Sequence, residues 1–481
     1  MDTPYKSTIV RQRISLFVCF FIIYGLVWGC SPYRSRLHKD MPEIPSAFLH
    51  QPERYGQYAD RWWTVFEDPQ LNEIIEELFE NNFELDALCN RWLQFQAEYR
   101  IADSARRFKA DLNASGGRER ITSSLGAETD NFFGLSATAS YEVDLWNKMK
   151  ARSKASLLEA LATKADIEAL YISLTAEVGD LYFQIIESNQ LLLLLEQTIE
   201  SFKQALELVE NNYLGGVVSA LDVYQAQQNL AAAIARKPGL EQELSIRKHA
   251  LSILLGQYPQ IDQWGGEQEF PAVPHPIPVN MPATMLKQRP DIQAALLRFK
   301  ASDALIEAAV ADHFPAFNLS ASIGYAASEV SNLFESDLLF WNLMGQMMQP
   351  IIDGGKRKAE VERSKARYQE LLSNYRSVLL KAFQEVEDAL VKNQKREEEI
   401  KRLENLVKAS VNVLEISLYQ YVQGLSDYLP VLTAQRNYYE AKRELISAQR
   451  GLFSNRIELS RVLGGSWQEA LVNERLQKMQ N

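Results

Sequence analysis

The stretch YQYVQGLSDYLPVLTAQRN, residues 419–437, decides the fold because the chain contains it in two versions. At a constant offset of 208 positions it aligns with NNYLGGVVSALDVYQAQQN, residues 211–229. The two versions share a tyrosine, a glycine and five further identical residues. A unit that recurs at a fixed offset indicates an internal duplication. Each copy joins two helical patterns through a short glycine-containing break, so the pattern predicts two antiparallel helical hairpins.

Both hairpins begin with a very long helical pattern. One covers about 148–212, with apolar residues at three- and four-residue steps, and the other covers about 357–421. At 1.5 Å per residue, each helix would be about 95–100 Å long. A compact globular domain has no use for such a rod, so the patterns predict a coiled coil or a helical tube. The hairpin tips are expected at about 211–222 and 421–430.

Each copy also contains two segments in which apolar and polar residues alternate. The clearest is 133–145, and the others lie at about 110–120, 316–327 and 338–350. A period of two predicts β-strands. Spans of about nine to eleven such residues fit transmembrane strands, although any half-buried sheet has the same alternation.

Four strands cannot close a transmembrane barrel by themselves. An open sheet edge in lipid leaves backbone groups unpaired, and known barrels have at least about eight strands. Other copies of the same chain must therefore complete the sheet. A dimer and a larger cyclic oligomer both satisfy this requirement.

The N-terminus predicts export from the cytoplasm. Residues 1–29 combine a positively charged start with an apolar run, as in a secretory signal. The end of the run, Leu26-Val27-Trp28-Gly29-Cys30, resembles a bacterial lipobox, which implies that Cys30 is lipidated and becomes the new N-terminus. Ser31 after the cysteine favours, by the same resemblance, sorting to the outer membrane. Signal cleavage without lipidation and an uncleaved anchor are the alternatives.

Composition and motifs exclude several classes of function. The net charge of −11 argues against a nucleic-acid partner, which would require a basic face. The three cysteines and five histidines form no metal-binding or redox motif. Phosphate-loop and serine-nucleophile motifs are also missing from the sequence. We therefore expect no enzyme activity, no cofactor and no metal.

These patterns divide the chain into six segments. They are a signal peptide at 1–29, a lipidated extended segment at 30–60, a first repeat at 61–259, a proline-rich linker at 260–285, a second repeat at 286–465 and a polar tail at 466–481.

Several short motifs, taken together, resemble the bacterial outer-membrane efflux protein family, the TolC-like outer membrane factors, in its lipoprotein branch. The motifs are Trp62-Trp63-x-x-Phe66-x-Asp68-Pro69, Arg289-Pro290-Asp291-Ile292, Phe314-Pro315, Asp353-Gly354-Gly355-Lys356 and Gly424-x-x-x-Tyr428-Leu429. The resemblance implies an α+β membrane protein that forms a homotrimer. Four strands per chain would make a twelve-stranded barrel, and the long hairpins would form a periplasmic α-barrel that is sealed at its lower end.

The resemblance also implies roles for residues at the hairpin tips. Leu429 would form an apolar ring at the seal and Asp427 an acidic ring, while Thr433 stands where the family often has aspartate. Tyr421 and Arg436 would hold the seal closed, with Asp222 as a partner. Tyr213, Gly216 and Gly424 would lie where a periplasmic adaptor docks. Two simpler interpretations remain open, since Leu429 could serve only in packing and Asp427 only as a helix N-cap.

The function implied is that of a passive outer-membrane channel in a tripartite efflux system. Its partners would be a periplasmic adaptor (membrane fusion) protein, an inner-membrane pump of the resistance-nodulation-division type and outer-membrane lipid. A channel for type I protein secretion and a structural periplasmic coiled-coil lipoprotein are the alternatives.

Overall fold

A computed structural model describes residues 32–40, 42, 45, 48–49, 61–123, 126–259, 269–272, 288–465 and 467–480. The expected signal peptide and Cys30 lie outside these residues, as does most of the expected linker. Within the described part, each half of the chain contains a helix, two strands, a long helix and a return helix in that order.

The first half contains helices α1 to α5 and strands β1 and β2. Their bounds are α1 Leu37–Asp40, α2 Pro69–Asn81, α3 Phe83–Ser104, β1 Lys109–Ser123, β2 Gly126–Val143, α4 Lys148–Leu214 and α5 Ala220–Leu254, with a 3-10 helix at Trp62–Phe66 before α2. The second half contains α6 Pro290–Ala311, β3 Ala316–Ala327, β4 Leu339–Met348, α7 Lys356–Val422, α8 Tyr428–Leu463 and α9 Trp467–Gln480. None of the described helices is both long enough and apolar enough to cross a membrane.

The internal duplication is confirmed at the level of whole elements. Helices α4 and α7 are both 67 residues long, and they begin 208 positions apart. At 1.5 Å per residue each is about 100 Å long. The return helices α5 and α8 begin at the same offset. The repeat therefore preserves the length from the strands to the hairpin tip.

Contacts group the chain into two compact units. Unit 1 takes its described residues from 1–42, 91–163 and 294–376, and unit 2 takes its described residues from 43–90, 164–293 and 377–481. Unit 1 contains the β-sheet, and unit 2 contains both hairpin tips.

The sheet of unit 1 is antiparallel, with strand order β1-β2-β3-β4. Its register places apolar residues of neighbouring strands directly opposite one another, as in the pairs Leu112 with Ala137, Tyr141 with Leu319, Ala321 with Leu343 and Ile323 with Trp341. Polar residues pair on the other face, where Ser322 lies opposite both Thr138 and Asn342. The Thr138 and Ser322 hydroxyls are 3.2 Å apart. The sheet thus has one apolar and one largely polar face, and Met344 and Phe340 of β4 depart from the pattern.

Both edges of this sheet are open within the described chain. β1 pairs only with β2, and β4 pairs only with β3. The apolar face is also uncovered, since Trp341 is 75% and Leu343 is 76% exposed. An uncovered apolar face and two unpaired edges are costly in water, so both need a further partner.

Strand β2 begins earlier than the sequence indicates. The alternation predicts a start near 133, whereas the strand spans Gly126–Val143. Residues 126–132 are mostly polar and carry no apolar alternation. They are strand because each lies opposite a residue of β1 in the register, from Ser123 with Gly126 onward.

The core of unit 2 is built on aromatic side chains. Trp63 contacts Trp467 edge to face with 4.8 Å between ring centroids, and Phe183 stacks on Phe453 at 4.4 Å. Asp68 caps α2 by accepting from the backbone N–H groups of Gln70 and Leu71.

The expectation of a polar C-terminal tail is wrong. Residues 467–480 form helix α9, in which Trp467, Val472 and Leu476 are buried. Arg475 of this helix donates to the carboxylate of Asp86 at 2.5 Å. The segment has few apolar residues, but three of them are buried, and the ring of Trp467 packs on Trp63 and Phe79 of the aromatic core.

Arg289, from the Arg-Pro-Asp motif, ties the start of α6 to the end of α8. Its side chain is buried and donates to Asp291 at 2.7 Å, to Glu385 at 2.9 Å and to the carbonyl of Val462 at 3.1 Å. Burial disfavours the charged guanidinium, but the two carboxylates outweigh that cost and raise the pKa of Arg289. The motif is thus a structural contact within unit 2.

The turn after α5 provides a test of how closely it packs against the end of α2. Gly256 has a positive φ of 69°, and a Cβ placed there would lie 2.3 Å from the carbonyl oxygen of Asn81. Gly354 has a similar φ of 63°, but its Cβ would meet no atom within 4 Å. Gly256→Ala should therefore destabilise the protein by roughly 3 kcal/mol or more, and Gly354→Ala by roughly 1 kcal/mol.

Thermal unfolding in detergent, followed by circular dichroism, compares these two variants with the wild type. The expected order of midpoints is wild type, then Gly354→Ala, then Gly256→Ala. Equal midpoints for the two variants would show that the contact with Asn81 contributes nothing.

Candidate functional site at the hairpin tips

The first helix of each hairpin ends in the same hydrogen-bonded turn. Gly216 has a φ of 73° and Gly424 a φ of 69°, in the left-handed region that glycine adopts without strain. In both tips the glycine N–H and the following N–H bond back to the last helical turn, which is a Schellman motif. The bonds are Gly216 to Tyr213 at 2.9 Å, Val217 to Asn212 at 2.9 Å, Gly424 to Tyr421 at 3.0 Å and Leu425 to Gln420 at 2.9 Å. Glycine is therefore required at both positions to end the helix.

The second helix of each hairpin begins differently in the two repeats. In the first tip, the carboxylate of Asp222 accepts from the backbone N–H of Ser219 at 3.0 Å and from its hydroxyl at 2.9 Å. The equivalent of Ser219 in the second tip is Asp427, which occupies the N-cap position but makes no side-chain bond to the helix. Asp427 is exposed. Helix capping therefore does not account for this carboxylate.

The two tips pack against each other through a small apolar cluster. Its buried members are Ala205, Val209, Ala226, Tyr421, Tyr428, Val431 and Leu432. Tyr421 and Tyr428 contact each other with 5.6 Å between ring centroids. The side-chain amide of Asn212 donates to the hydroxyl of Tyr421 at 3.2 Å, which joins the end of α4 to the end of α7.

Tyr421 and Asp222 do not bond to each other within the protomer. Tyr421 is bound to Asn212, and the carboxylate of Asp222 is occupied by Ser219. Arg436 is exposed and forms no ion pair with any residue that the structure describes. The three expected gate-closing residues thus lie on the tips without forming a contact among themselves.

Leu429 lies at the start of α8 and faces away from the tip cluster. It is 57% exposed, whereas the preceding Tyr428 is 2% exposed and Leu432 is 7% exposed. Thr433 is also exposed, and its hydroxyl donates to the carbonyl of Leu429 at 2.9 Å. Packing within one protomer therefore does not explain an apolar residue at position 429.

Further apolar side chains on both tips are exposed, and sequence reasoning did not single them out. They are Leu214, Val217, Leu221 and Tyr224 on the first tip and Tyr419, Val422 and Leu425 on the second. Tyr213, which sequence reasoning did identify, is exposed as well. A cluster of exposed apolar residues marks a surface that binds a partner. The signal for it in the sequence is an apolar residue directly beside each tip glycine.

Comparison with known proteins shows that both halves of the chain match one family model. The model is that of the outer membrane efflux protein, and it matches residues 74–257 and 281–465. The chain is 29% identical over 458 residues to the Cation efflux system protein CusC of Escherichia coli O6:H1, covering 93% of this chain and 98% of that one. It is 28% identical over 419 residues to the Probable outer membrane lipoprotein SilC of Salmonella typhimurium, covering 86% and 90%.

A solved structure extends the likeness to the fold. The outer-membrane channel OprN superposes with a TM-score of 0.86 at 26% sequence identity. The match covers 91% of this chain and 100% of that chain.

The burial of Tyr428 in the tip cluster predicts how the stability of the protein changes at high pH. Burial, and secondly the charges of Tyr421 and Asp222, raise the pKa of Tyr428 to about 12 from its usual 10. The folded tip therefore favours neutral Tyr428. Its contribution to stability is complete below pH 10 and is lost as the pH rises through about 12, a loss on the order of 2–3 kcal/mol.

The pKa of Tyr428 can be measured by titrating the ultraviolet absorbance of tyrosinate in the wild type and in Tyr428→Phe and subtracting the second curve from the first. The difference spectrum should titrate near pH 12, and the variant should lose part of its alkaline destabilisation. A difference that titrates at pH 10 would show that Tyr428 is not buried in the folded tip.

Proposed function

Because the chain belongs to the outer membrane efflux protein family, we propose that it is the channel component of a tripartite efflux system. It is a protein of the outer membrane of Gram-negative bacteria, like its lipoprotein relative SilC. In this role it is a passive duct. A periplasmic adaptor binds it, and an inner-membrane pump of the resistance-nodulation-division type supplies the energy for transport. Lipidation of Cys30 anchors the N-terminus in the same membrane.

The proposed barrel is a homotrimer of twelve strands. Support comes from the apolar face and the two open edges of the four-stranded sheet. In lipid, the apolar face is solvated by acyl chains, and each open edge pairs with the edge of the next protomer so that no backbone group is left unpaired. The polar face then lines the water-filled interior.

The proposed gate is a ring of three Leu429 side chains where the second-repeat tips meet on the trimer axis. The observation that carries this proposal is the 57% exposure of Leu429 directly after the buried Tyr428. A narrow apolar ring excludes water and ions by dewetting. Asp427, whose carboxylate is not used for capping, adds an acidic ring beside it that favours cations, and Thr433 lies one turn farther along α8.

The closed state is held by contacts on the tips. Tyr421 contributes through Asn212 and the tip cluster. In the proposed closed trimer, Arg436 pairs with Asp222 across the hairpins of neighbouring protomers. The adaptor docks on the exposed apolar residues around Tyr213, Gly216 and Gly424, and it opens the gate by binding the open arrangement more tightly than the closed one.

The oligomeric state tests the barrel. Full-length protein extracted from outer membranes in mild detergent should have the mass of three protomers in native mass spectrometry. A monomer or dimer in that extract would contradict the twelve-stranded barrel, because two sheets of four strands do not supply twelve.

The gate is tested by planar-bilayer conductance of Leu429→Ser. A polar ring should no longer dewet, so the resting conductance should rise roughly severalfold. Leu221 is the matched control, because it is the repeat-equivalent residue on the first tip and is also exposed. Leu221→Ser should leave the conductance unchanged, and an equal rise in both variants would contradict a gate at Leu429.

A further inference from the structure

The hairpin formed by β1 and β2 extends beyond the other two strands of the sheet. Strand β3 ends at Ala327, which lies opposite Phe133, whereas β1 and β2 stay paired as far as Ser123 and Gly126. We call residues 116–133 the hairpin extension. Its charged residues are Arg118, Glu119, Arg120, Glu128 and Asp130.

The strand register assigns the two arginines to the apolar face of the sheet. Successive residues of a strand belong to opposite faces, and directly opposed residues of two strands share a face. Leu112 lies opposite Ala137, so the even-numbered residues of β1 belong to the apolar face, and the register continues without interruption to Ser123. Arg118 and Arg120 are therefore on the apolar face, two residues apart.

The acidic residues of the hairpin extension occupy the other face. Glu119 lies directly opposite Asp130, and Glu128 holds the next position of that face, opposite Ile121. Like charges at directly opposed positions destabilise a pair of strands, and an ion pair across the strands would need both signs on one face. The stability of the hairpin therefore does not explain why its cations and anions are separated by face.

Neither arginine is used within the protomer. Arg118 and Arg120 are exposed, and neither forms an ion pair with a residue that the structure describes. This includes the acidic residues of the loop between β3 and β4, which are Glu329, Glu335 and Asp337. We call Arg118 and Arg120 the rim arginines, and their guanidinium groups are available to an external anion.

The rim arginines begin where the apolar face ends. Along β2 that face runs from Val143 to Phe133, which is about 34 Å of strand at about 3.4 Å per residue. With the strand tilt of about 40° found in transmembrane barrels, this corresponds to a height of about 26 Å, close to the apolar band of about 25 Å in known barrels. The apolar face therefore has the height of a membrane-spanning band.

The height of the rim arginines follows from the same geometry. Gly116 lies opposite Phe133 at the edge of the band, and Arg118 and Arg120 lie two and four residues beyond it. They are then about 5 and 10 Å above the band. The polar layer on each side of a bilayer is about 5–8 Å thick, so both side chains are level with lipid headgroups.

We propose that the rim arginines bind the phosphate groups of lipid A, the lipid of the outer leaflet of the Gram-negative outer membrane. This inference rests on the proposed membrane-spanning barrel, in which the long helices lie in the periplasm and the hairpin extension lies at the outer surface. Guanidinium groups bind phosphate through two parallel hydrogen bonds. The acyl chains of the same lipid contact the exposed apolar face directly below. A phosphorylated lipid therefore satisfies both parts of this surface, whereas a soluble anion would use the arginines alone.

The test compares the full-length wild type with three double variants. The rim variant carries Arg118→Gln and Arg120→Gln. The matched control, Arg236→Gln with Arg402→Gln, removes the same charge from exposed arginines on α5 and α7. The opposite-face variant, Glu119→Gln with Asp130→Asn, makes the same hairpin more positive and leaves both arginines in place. Each protein is equilibrated in detergent with diphosphoryl lipid A, dephosphorylated lipid A or phosphatidylglycerol, and the bound lipids are counted by native mass spectrometry.

The rim variant should bind diphosphoryl lipid A roughly tenfold more weakly than the wild type, whereas the matched control should bind it equally and the opposite-face variant at least equally. All four proteins should bind dephosphorylated lipid A alike, because their contacts with acyl chains are unchanged. Equal binding of diphosphoryl lipid A by the wild type and the rim variant, or an equal loss in the matched control, would overturn the proposal. A preference of the wild type for phosphatidylglycerol would overturn it too.

The same samples separate this inference from the proposed function. Native mass spectra give the number of protomers, and planar-bilayer conductance reports on the channel. A conducting trimer whose lipid binding does not depend on the phosphates of lipid A refutes this inference alone. A monomer without conductance refutes the barrel on which the inference rests.

Discussion

The pairing of backbone hydrogen bonds is the constraint on which this structure depends. Four antiparallel strands satisfy one another internally but leave the outer edges of β1 and β4 open. In a membrane those edges would have no water to bond, which is why the proposed barrel requires further copies of the chain. The proposed association with other copies follows from this one requirement.

The two hairpin tips share one turn geometry but differ at the start of the helix that follows it. Their backbones are nearly identical, with a left-handed glycine and the same pair of returning bonds in each. The difference lies at the next helix start, where Ser219 is satisfied by Asp222 and Asp427 is left facing solvent. Two differences at equivalent positions, Ser219 against Asp427 and Asp222 against Pro430, thus separate a helix start with a satisfied carboxylate from one with an unused carboxylate.

Periodicity in the sequence was enough to predict the long hairpins, the strands and the repeat, because each depends on a pattern that local geometry imposes. It was not enough for elements whose order comes from distant contacts. Strand β2 extends back to Gly126 only because β1 lies alongside, and α9 is ordered by burial of Trp467 on the aromatic core. At the tips, the sequence was enough to predict that Leu429 and Asp427 lie at the start of a helix. It was not enough to predict that Tyr421 bonds to Asn212, because that pairing depends on how the helices pack.

The equal length of α4 and α7 also limits how such a chain can change over generations. Both helices start from strands of one sheet, β2 and β4, and end at tips that share one apolar cluster, so each of their ends is held within one unit. An insertion of seven residues in one helix alone would displace its tip by about 10 Å relative to the other. Insertions and deletions in one repeat can therefore persist only when the other repeat gains or loses the same number of residues.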